Sequence, residues 1–398
     1  MQKLKLQIKK QNWRKVKLGE IAQNFDSKRI PLSSMQRAKM KGLYPYYGAA
    51  EIVDYINNYI YDGFYLLIAE DGTVTTDGNK PMLQLVNGKF WVNNHAHVIW
   101  GNNDLETKYL FYALRNTPIT PYITGAVQLK LTQENLNKIE LPYPSDESVR
   151  KKVVDILSTF DDKIELNSKI SQNLEQMAQS IFKEWFIKFK FPGHKKVKML
   201  NSELGKIPEG WEMVNAEKIF TFEKGVEPGS GSYSITRKTN FIPFYRVRDL
   251  EEKSGDTDVF IDEKVANNKI CKCNDVLISF DATVGRIKIG CNGAFSSGIR
   301  RVYSKDGFIK NSFIYFWLKT PYIQNTILEY SSGTTILHAG NSIEFLKILF
   351  NKDIINKFQK IADPIFNKIL EINKENQKLA SLRDLFLPKL MSGEIIIN

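Results

Sequence analysis

The chain has 398 residues, with 56 Lys plus Arg against 44 Asp plus Glu, a net charge of +12 and a pI near 9.2. At about 150 residues per domain this is material for roughly two to three domains, and a hydrophobic share of 42% excludes long intrinsic disorder. The charge points to an anionic partner, nucleic acid before an acidic membrane surface. Three cysteines, Cys271, Cys273 and Cys291, exclude a disulfide framework and lack a fourth ligand for structural zinc.

Met1 to Lys10 alternates Lys and Gln with Leu and Ile. No signal peptide is expected there, and no run approaches the about 18 apolar residues of a membrane span. The expected location is cytoplasmic, with no membrane partner.

Trp13 opens a segment that returns 198 positions on: Trp13, Val16 and Ile21 meet Trp211, Val214 and Ile219. Pro45-Tyr46-Tyr47 then meets Pro243-Phe244-Tyr245. Leu66 to Val74 meets Val276 to Val284, with Asp71 and Thr73 answered by Asp281 and Thr283. Tyr109 to Leu114 meets Phe313 to Leu318, and Tyr122 to Gly125 meets Tyr330 to Gly333. Blocks in the same order, with a drifting offset, indicate a tandem duplication with small loop insertions.

Within each repeat, short apolar runs predict strands: 64–69, 89–92 and 97–100 in the first, 276–279, 287–289 and 299–302 in the second. Asp71-Gly72 and Asn87-Gly88 read as turns. Segments 105–115 and 309–319 read as short helices, each ending before a proline. The fold class is therefore mixed α/β (α+β), two tandem globular modules, each followed by a long helix.

From Asp146 to Lys190 there is no Pro or Gly, and Val153, Ile156, Phe160, Ile164, Ile170, Leu174, Met177 and Ile181 recur at steps of three and four or their multiples. That spacing predicts an amphipathic helix with a narrow stripe, capped by Ser145 and stopped by Phe191-Pro192-Gly193. A second stripe runs through Phe358, Ile361, Ile365, Ile369, Ile372, Leu379, Leu382 and Phe386. Asp363-Pro364 is expected to restart this helix and Leu387-Pro388 to close it. A helix of about 40 residues spans roughly 60 Å and cannot bury such a stripe alone, so the two are expected to pair as an antiparallel coiled coil. Asn167 and Asn376 fall on or near the seams, where polar residues set register or are merely tolerated. The expected domains are 1–145, a helical spacer 146–190, a linker 191–210, a second module 211–351 and a C-terminal spacer 352–398.

The catalytic inventory is thin. No P-loop, dinucleotide fingerprint or amino-methyltransferase tetrapeptide is present. Asp71 and Asp281 could be nuclease metal ligands, but no carboxylate–Lys triad follows, and a turn Asp bonded to its own backbone is the simpler reading. His95 and His97 could be metal ligands or a nucleic-acid contact, but ordinary surface or core histidines are the first reading. No catalytic residue, metal or cofactor is expected. The binding inventory is richer: Lys28, Arg29, Lys39, Lys41, Tyr46, Tyr47, Gln128 and Lys130 in the first module. The second carries Arg237, Lys238, Arg246, Arg248, Arg286, Arg300, Arg301, Thr334 and Thr335. Cations attract phosphates, Arg can also read guanine edges, and the glycine loops at Gly125 and Gly333 permit close backbone approach.

These motifs resemble the specificity subunit of type I restriction–modification systems. The resemblance rests on Trp13 with Leu18-Gly19-Glu20-Ile21, Ile164-Glu165-Leu166-Asn167 with Leu174-Glu175, and Ile181-Phe182-Lys183-Glu184-Trp185-Phe186. It also rests on Gly205-Lys206-Ile207-Pro208-Glu209-Gly210-Trp211 and on the run from Leu382 to Gly393. It covers nearly the whole chain. It implies two target recognition domains that each read one half of a split, asymmetric site in double-stranded DNA. It also implies helices that set the gap and dock two methyltransferase subunits, with motor-nuclease subunits joining through the complex. Methylation and ATP-driven cleavage would then belong to the partners. The alternatives are a coiled-coil scaffold, the equivalent subunit of a simpler restriction enzyme, and a stand-alone DNA-modifying enzyme.

Overall fold

The computed structural model describes residues 13–125, 128–202, 205–251, 257–333 and 337–395. The chain divides into two compact units, one of residues 1–162 with 379–398 and one of residues 163–378.

In the first unit the chain runs β1 (Trp13–Lys17), α1 (Leu18–Ile21), β2 (Gln23–Asn24), α2 (Ser34–Lys39), β3 (Lys41–Tyr47), β4 (Ile52–Ile56) and β5 (Tyr61–Ala69). It continues through β6 (Leu83–Val92), β7 (Ala96–Trp100), α3 (Asp104–Arg115), α4 (Gln133–Lys138) and β8 (Glu140–Pro144) into the long helix α5 (Glu147–Phe182). Six strands form one sheet in the order β2-β7-β5-β6-β3-β4, with β3 and β6 parallel. Strand β1 pairs antiparallel with β8. Local chemistry sets the helix starts. Asn103 accepts the Glu106 N–H at 2.8 Å, and Ser33 and Gln36 form a capping box on α2. The core joins Leu66, Ile68 and Ile99 of the sheet to Tyr109 and Leu110 of α3 and to Val153 and Leu157 of α5.

The second unit repeats this plan. After α5 come β9 (Met199–Ser202), β10 (Gly205–Pro208), β11 (Glu212–Asn215), α6 (Ala216–Ile219), β12 (Phe220–Lys224), β13 (Phe241–Tyr245), β14 (Phe260–Asp262) and β15 (Ile270–Cys271). Then follow β16 (Val276–Ser279), β17 (Asp281–Ala282), β18 (Ile287–Lys288), β19 (Gly293–Phe295), β20 (Ile299–Ser304), α7 (Asn311–Leu318) and α8 (Pro321–Glu329). The last elements are β21 (Leu337–His338), β22 (Lys347–Phe350) and α9 (Lys352–Met391). The sheet β12-β20-β16-β18 answers β2-β7-β5-β6, and β11 with β22 answers β1 with β8. The parallel pair β13 and β19 answers β3 and β6. The duplication of sequence is thus a duplication of fold.

Within each unit, segments of the two long helices run antiparallel. In the first, Phe160 stacks on Phe386 at 6.2 Å and Arg383 Nη1 donates to Asp161 Oδ1 at 2.6 Å. In the second, Phe182 lies 5.3 Å from Phe358, and buried Asn167 donates to Glu375 Oε2 and Asn376 Oδ1, both at 2.9 Å. A one-turn slip would strand those polar groups in the seam, so the pair acts on register.

The stripe differs in detail from the sequence reading. Val153, Phe358, Ile369 and Ile372 are buried. Ile156, Leu174, Ile181, Ile365 and Phe386 pack partly against the cores, and Ile164, Leu379 and Leu382 are half-buried. Met177, at 58% exposure, and Ile170 and Ile361, both at 38%, leave the packed face; Ala178, Ala362 and Phe366 are buried nearby. A straight helix drifts about 20° per heptad from a 3.5 repeat, which moves nominal seam positions outward.

Four local expectations need correction. Asn87-Gly88 is no turn: both lie inside β6, where Gly88 at φ +90° faces Gly63 across the ladder. The cap of α5 is Asp146 rather than Ser145, because the Asp146 carboxylate accepts the Ser148 N–H at 2.8 Å. Neither Pro364 nor Pro388 breaks α9, since buried Phe358, Ala362, Phe366, Leu387 and Leu390 pack the helix across both sites. The expected linker carries the hairpin β9–β10. As expected, α7 ends before Pro321, and that proline starts α8 at its first position, where its missing N–H costs nothing.

Candidate nucleic-acid interface

Each module brings the same three backbone elements together at one end of its central strand. The last residues of β5, Leu66 to Ala69, and all of β16 with Phe280 are buried, so the chain surfaces at Glu70-Asp71 in the first module and at Asp281 in the second. There the Leu131 N–H donates to Glu70 O at 2.8 Å, and the Ala339 N–H donates to Phe280 O at 2.7 Å. Bridges link Asp71 to Lys130 and Asp281 to His338. A hairpin is closed in each case, by Thr124 with Lys130 and by Ser332 with His338. Residues 126–127 and 334–336 of these hairpins lie outside the described residues, so Thr334 and Thr335 are not placed.

On this common frame the side chains differ. Ile68 pairs with His97 in β7, and Ile278 pairs with Arg300 in β20, so His97 and Arg300 hold the same position. His97 is buried; its Nδ1 lies 2.5 Å from Asp26 Oδ2 and its Nε2 lies 2.7 Å from Leu131 O. Burial alone would raise the Asp26 carboxyl, but the His97 contact, the Val98 N–H and Asn24 together hold it below its ordinary value. Arg29 Nη1 donates to Glu70 Oε2 at 2.7 Å and Lys130 lies 3.2 Å from Glu70 Oε1. Asp26, Glu70 and His97 could offer metal-ligand atoms. Arg29, Lys130 and His97 itself already meet their carboxylates, so the cluster is a closed ion network.

Arg300 is set differently. Its Nη1 donates to Ser297 O at 2.6 Å, while Nε and Nη2 have no hydrogen-bond partner among the described residues. Burial pulls its guanidinium below the ordinary value, against the opposing pull of Asp281.

The other sequence candidates fall into two groups. Arg246 is locked by Asp249 at 2.9 Å and Asp258 at 2.5 Å, with Arg248 beside the same two carboxylates. Arg301 is held by Glu223 at 2.6 Å and Asp275 at 3.3 Å, Arg286 sits 3.5 Å from Glu251, and Arg29 belongs to the buried network. Tyr46, at 1% exposure, is a core residue whose hydroxyl donor serves Leu32 O, and Tyr47 packs edge-on against Phe90. These side chains already serve the fold. The outward group comprises Lys39, Gln128, Arg237 and Lys238, all exposed, Lys28 over the Phe25 ring, Lys41 paired with Asp54, and Lys130.

Two histidines outside the candidate set prove to be placed. His95 Nδ1 donates to Asp71 Oδ1 at 2.6 Å, and His338 Nδ1 donates to Asp281 Oδ1 at 2.8 Å. The turn-Asp reading is therefore incomplete, since each carboxylate holds an imidazole. The available signal was the matched Asp pair; the histidines themselves lie 24 and 57 positions away.

The model of the type I restriction modification DNA specificity domain matches the chain twice, over residues 10–176 and 208–379. The chain belongs to this family. Its two repeats are DNA specificity domains, and its role is DNA sequence recognition. A putative type I restriction enzyme specificity subunit of Haemophilus influenzae is 29% identical over 311 residues, spanning 76% of this chain and 75% of that one. A type I restriction enzyme specificity subunit of Methanocaldococcus jannaschii is 29% identical over 357 residues, with 84% and 80% covered. The crystal structure of a type I restriction–modification S subunit from M. genitalium shares the fold, with TM-score 0.57, 17% identity and 96% of each chain covered. Among the described residues no helix is long and apolar enough to cross a membrane.

Proposed function

We propose that each specificity domain reads one half of a bipartite, asymmetric duplex site, and that α5 and α9 fix the gap between the halves. The observation that carries this reading is one backbone frame presenting two chemistries. His97, Glu70 and Lys130 in the first module stand where Arg300, Phe280 and His338 stand in the second. Non-identical readers demand non-identical half-sites. The net charge of +12 supplies sequence-independent phosphate attraction, and groups such as Arg300 and Gln128 supply discrimination.

The chain acts as a non-catalytic component. The helices dock two methyltransferase subunits, and motor-nuclease subunits join through the assembly; methyl transfer and cleavage belong to those partners. The test is a domain exchange. Replacing residues 13–145 with the matching segment of a relative should change one half of the methylated motif and leave the other half and the gap intact. Four residues inserted after Gln172, about one helical turn, should lengthen the gap and spare both halves. A half-site altered by the insertion, or both altered by the exchange, overturns the reading.

A further inference from the structure

We propose that the Asp-held imidazoles His95 and His338 are DNA-contacting groups, one in each module, whose Nε2 lone pair accepts a hydrogen bond from an amino group of a base edge, adenine N6 or cytosine N4. This deepens the half-site reading and rests on it. The repeat fixes Asp71 and Asp281 at the same point of the frame, each bridged to the neighbouring hairpin. The imidazole that each receives comes from a different element. His95 comes from the turn between β6 and β7, and His338 from the hairpin, where the first module has Lys130. The same pair is thus assembled twice by different routes.

Fold stability gives little reason for that recurrence. The His side chains are 49% and 61% exposed, and exposed ion pairs contribute little. The carboxylate does fix the ring: with Nδ1–H held, Nε2 is the free ring nitrogen in each case, and it has no partner among the described residues. Asp71 lies beside Glu70 and its cations Arg29 and Lys130, and Asp281 lies in the field of Arg300. Carboxylates balance the cations at this rim, so the open lone pair of the held ring suits a neutral amino donor on a base edge rather than a phosphate.

The experiment uses the full chain assembled with its methyltransferase subunits and duplexes carrying the two-part site mapped in the host. Binding is measured across salt, with each base pair of the site replaced in turn. His95→Ala should weaken binding by about five- to a hundredfold through one half-site, and His338→Ala through the other. The base-edge contact keeps the salt slope and makes each variant indifferent to one base pair; a slope lowered by about one, with all duplexes weakened alike, would mark a phosphate contact and overturn the assignment. Asp71→Asn acts as a positioning change, weakening wild type but adding nothing to His95→Ala. The proposal is overturned if both His variants bind within about twofold of wild type with unchanged base preference, while Arg300→Ala still alters it. Wild-type complex that ignores every base replacement would instead sink the half-site reading itself.

Discussion

Arg150 ties the first turns of α5 to the first module, and its removal has a calculable cost. Its Nε donates to Glu106 Oε1 at 2.7 Å, and Nη1 donates to the carbonyls of Pro144 at 2.7 Å and Ser145 at 3.2 Å. Its guanidinium lies 4.5 Å over the Tyr143 ring, whose hydroxyl donates to Glu106 Oε2 at 2.9 Å. Burial first, then the Glu106 carboxylate, pushes that hydroxyl up to about 12, so it stays a donor through the neutral range. The Arg150 and Glu106 side chains are only 9% and 11% exposed. Arg150→Met therefore leaves a buried carboxylate without its cation. Breaking such a pair from one side costs about 3–5 kcal/mol. At about 2–4 °C per kcal/mol for a unit of this size, the transition should fall by about 6–20 °C. Calorimetry of the full chain reads it. Glu106→Gln in the Arg150→Met background should recover part of the loss, because the stranded charge is gone. A single variant melting within about 2 °C of wild type would refute the reasoning.

The remaining predictions follow from the same contacts. Asp26 sits below its ordinary 3.8 in the folded chain, so its contribution is full above that value and lost as pH falls through the lower folded one. Asp26→Asn should lower stability at neutral pH and flatten the acid limb; acid unfolding that superimposes on wild type would contradict this. Asn167→Ala strips Glu375 and Asn376 of a shared donor and should cost about 1–3 kcal/mol by urea unfolding, with an unchanged midpoint as the contrary result. Arg300→Ala should cost about 1–3 kcal/mol of binding at one position of one half-site. Arg246→Ala, whose guanidinium serves Asp249 and Asp258, should lower the melting temperature and leave base preference alone. The reverse pattern would exchange their roles.

Periodic features were legible in the sequence. The Trp13 and Trp211 blocks announce a repeat that returns strand for strand, because each copy must bury the same apolar positions. The long helices were legible for the same reason, since stripes of Val153 and Phe358 type must be buried, and the module cores cover part of each. Long-range competition was illegible. Pro364 and Pro388 carry a local breaker signal that buried Phe358, Phe366 and Leu390 override. The arginines looked alike in sequence, yet Arg246 and Arg301 are bound by acids while Arg300 keeps two nitrogens uncommitted among the described residues. Asp71 was visible; the imidazole that completes it arrives from another loop, and no local pattern carries that.

The central claim is that two unlike modules on paired helices specify one two-part DNA sequence. Mapping methylated bases across the host genome, with this gene intact and deleted, tests it most directly. The account predicts that deletion erases methylation at a single motif of two unlike halves with a fixed gap, and that restoring the gene restores it. Methylation maps that stay identical when an expressed, intact gene is removed would contradict it.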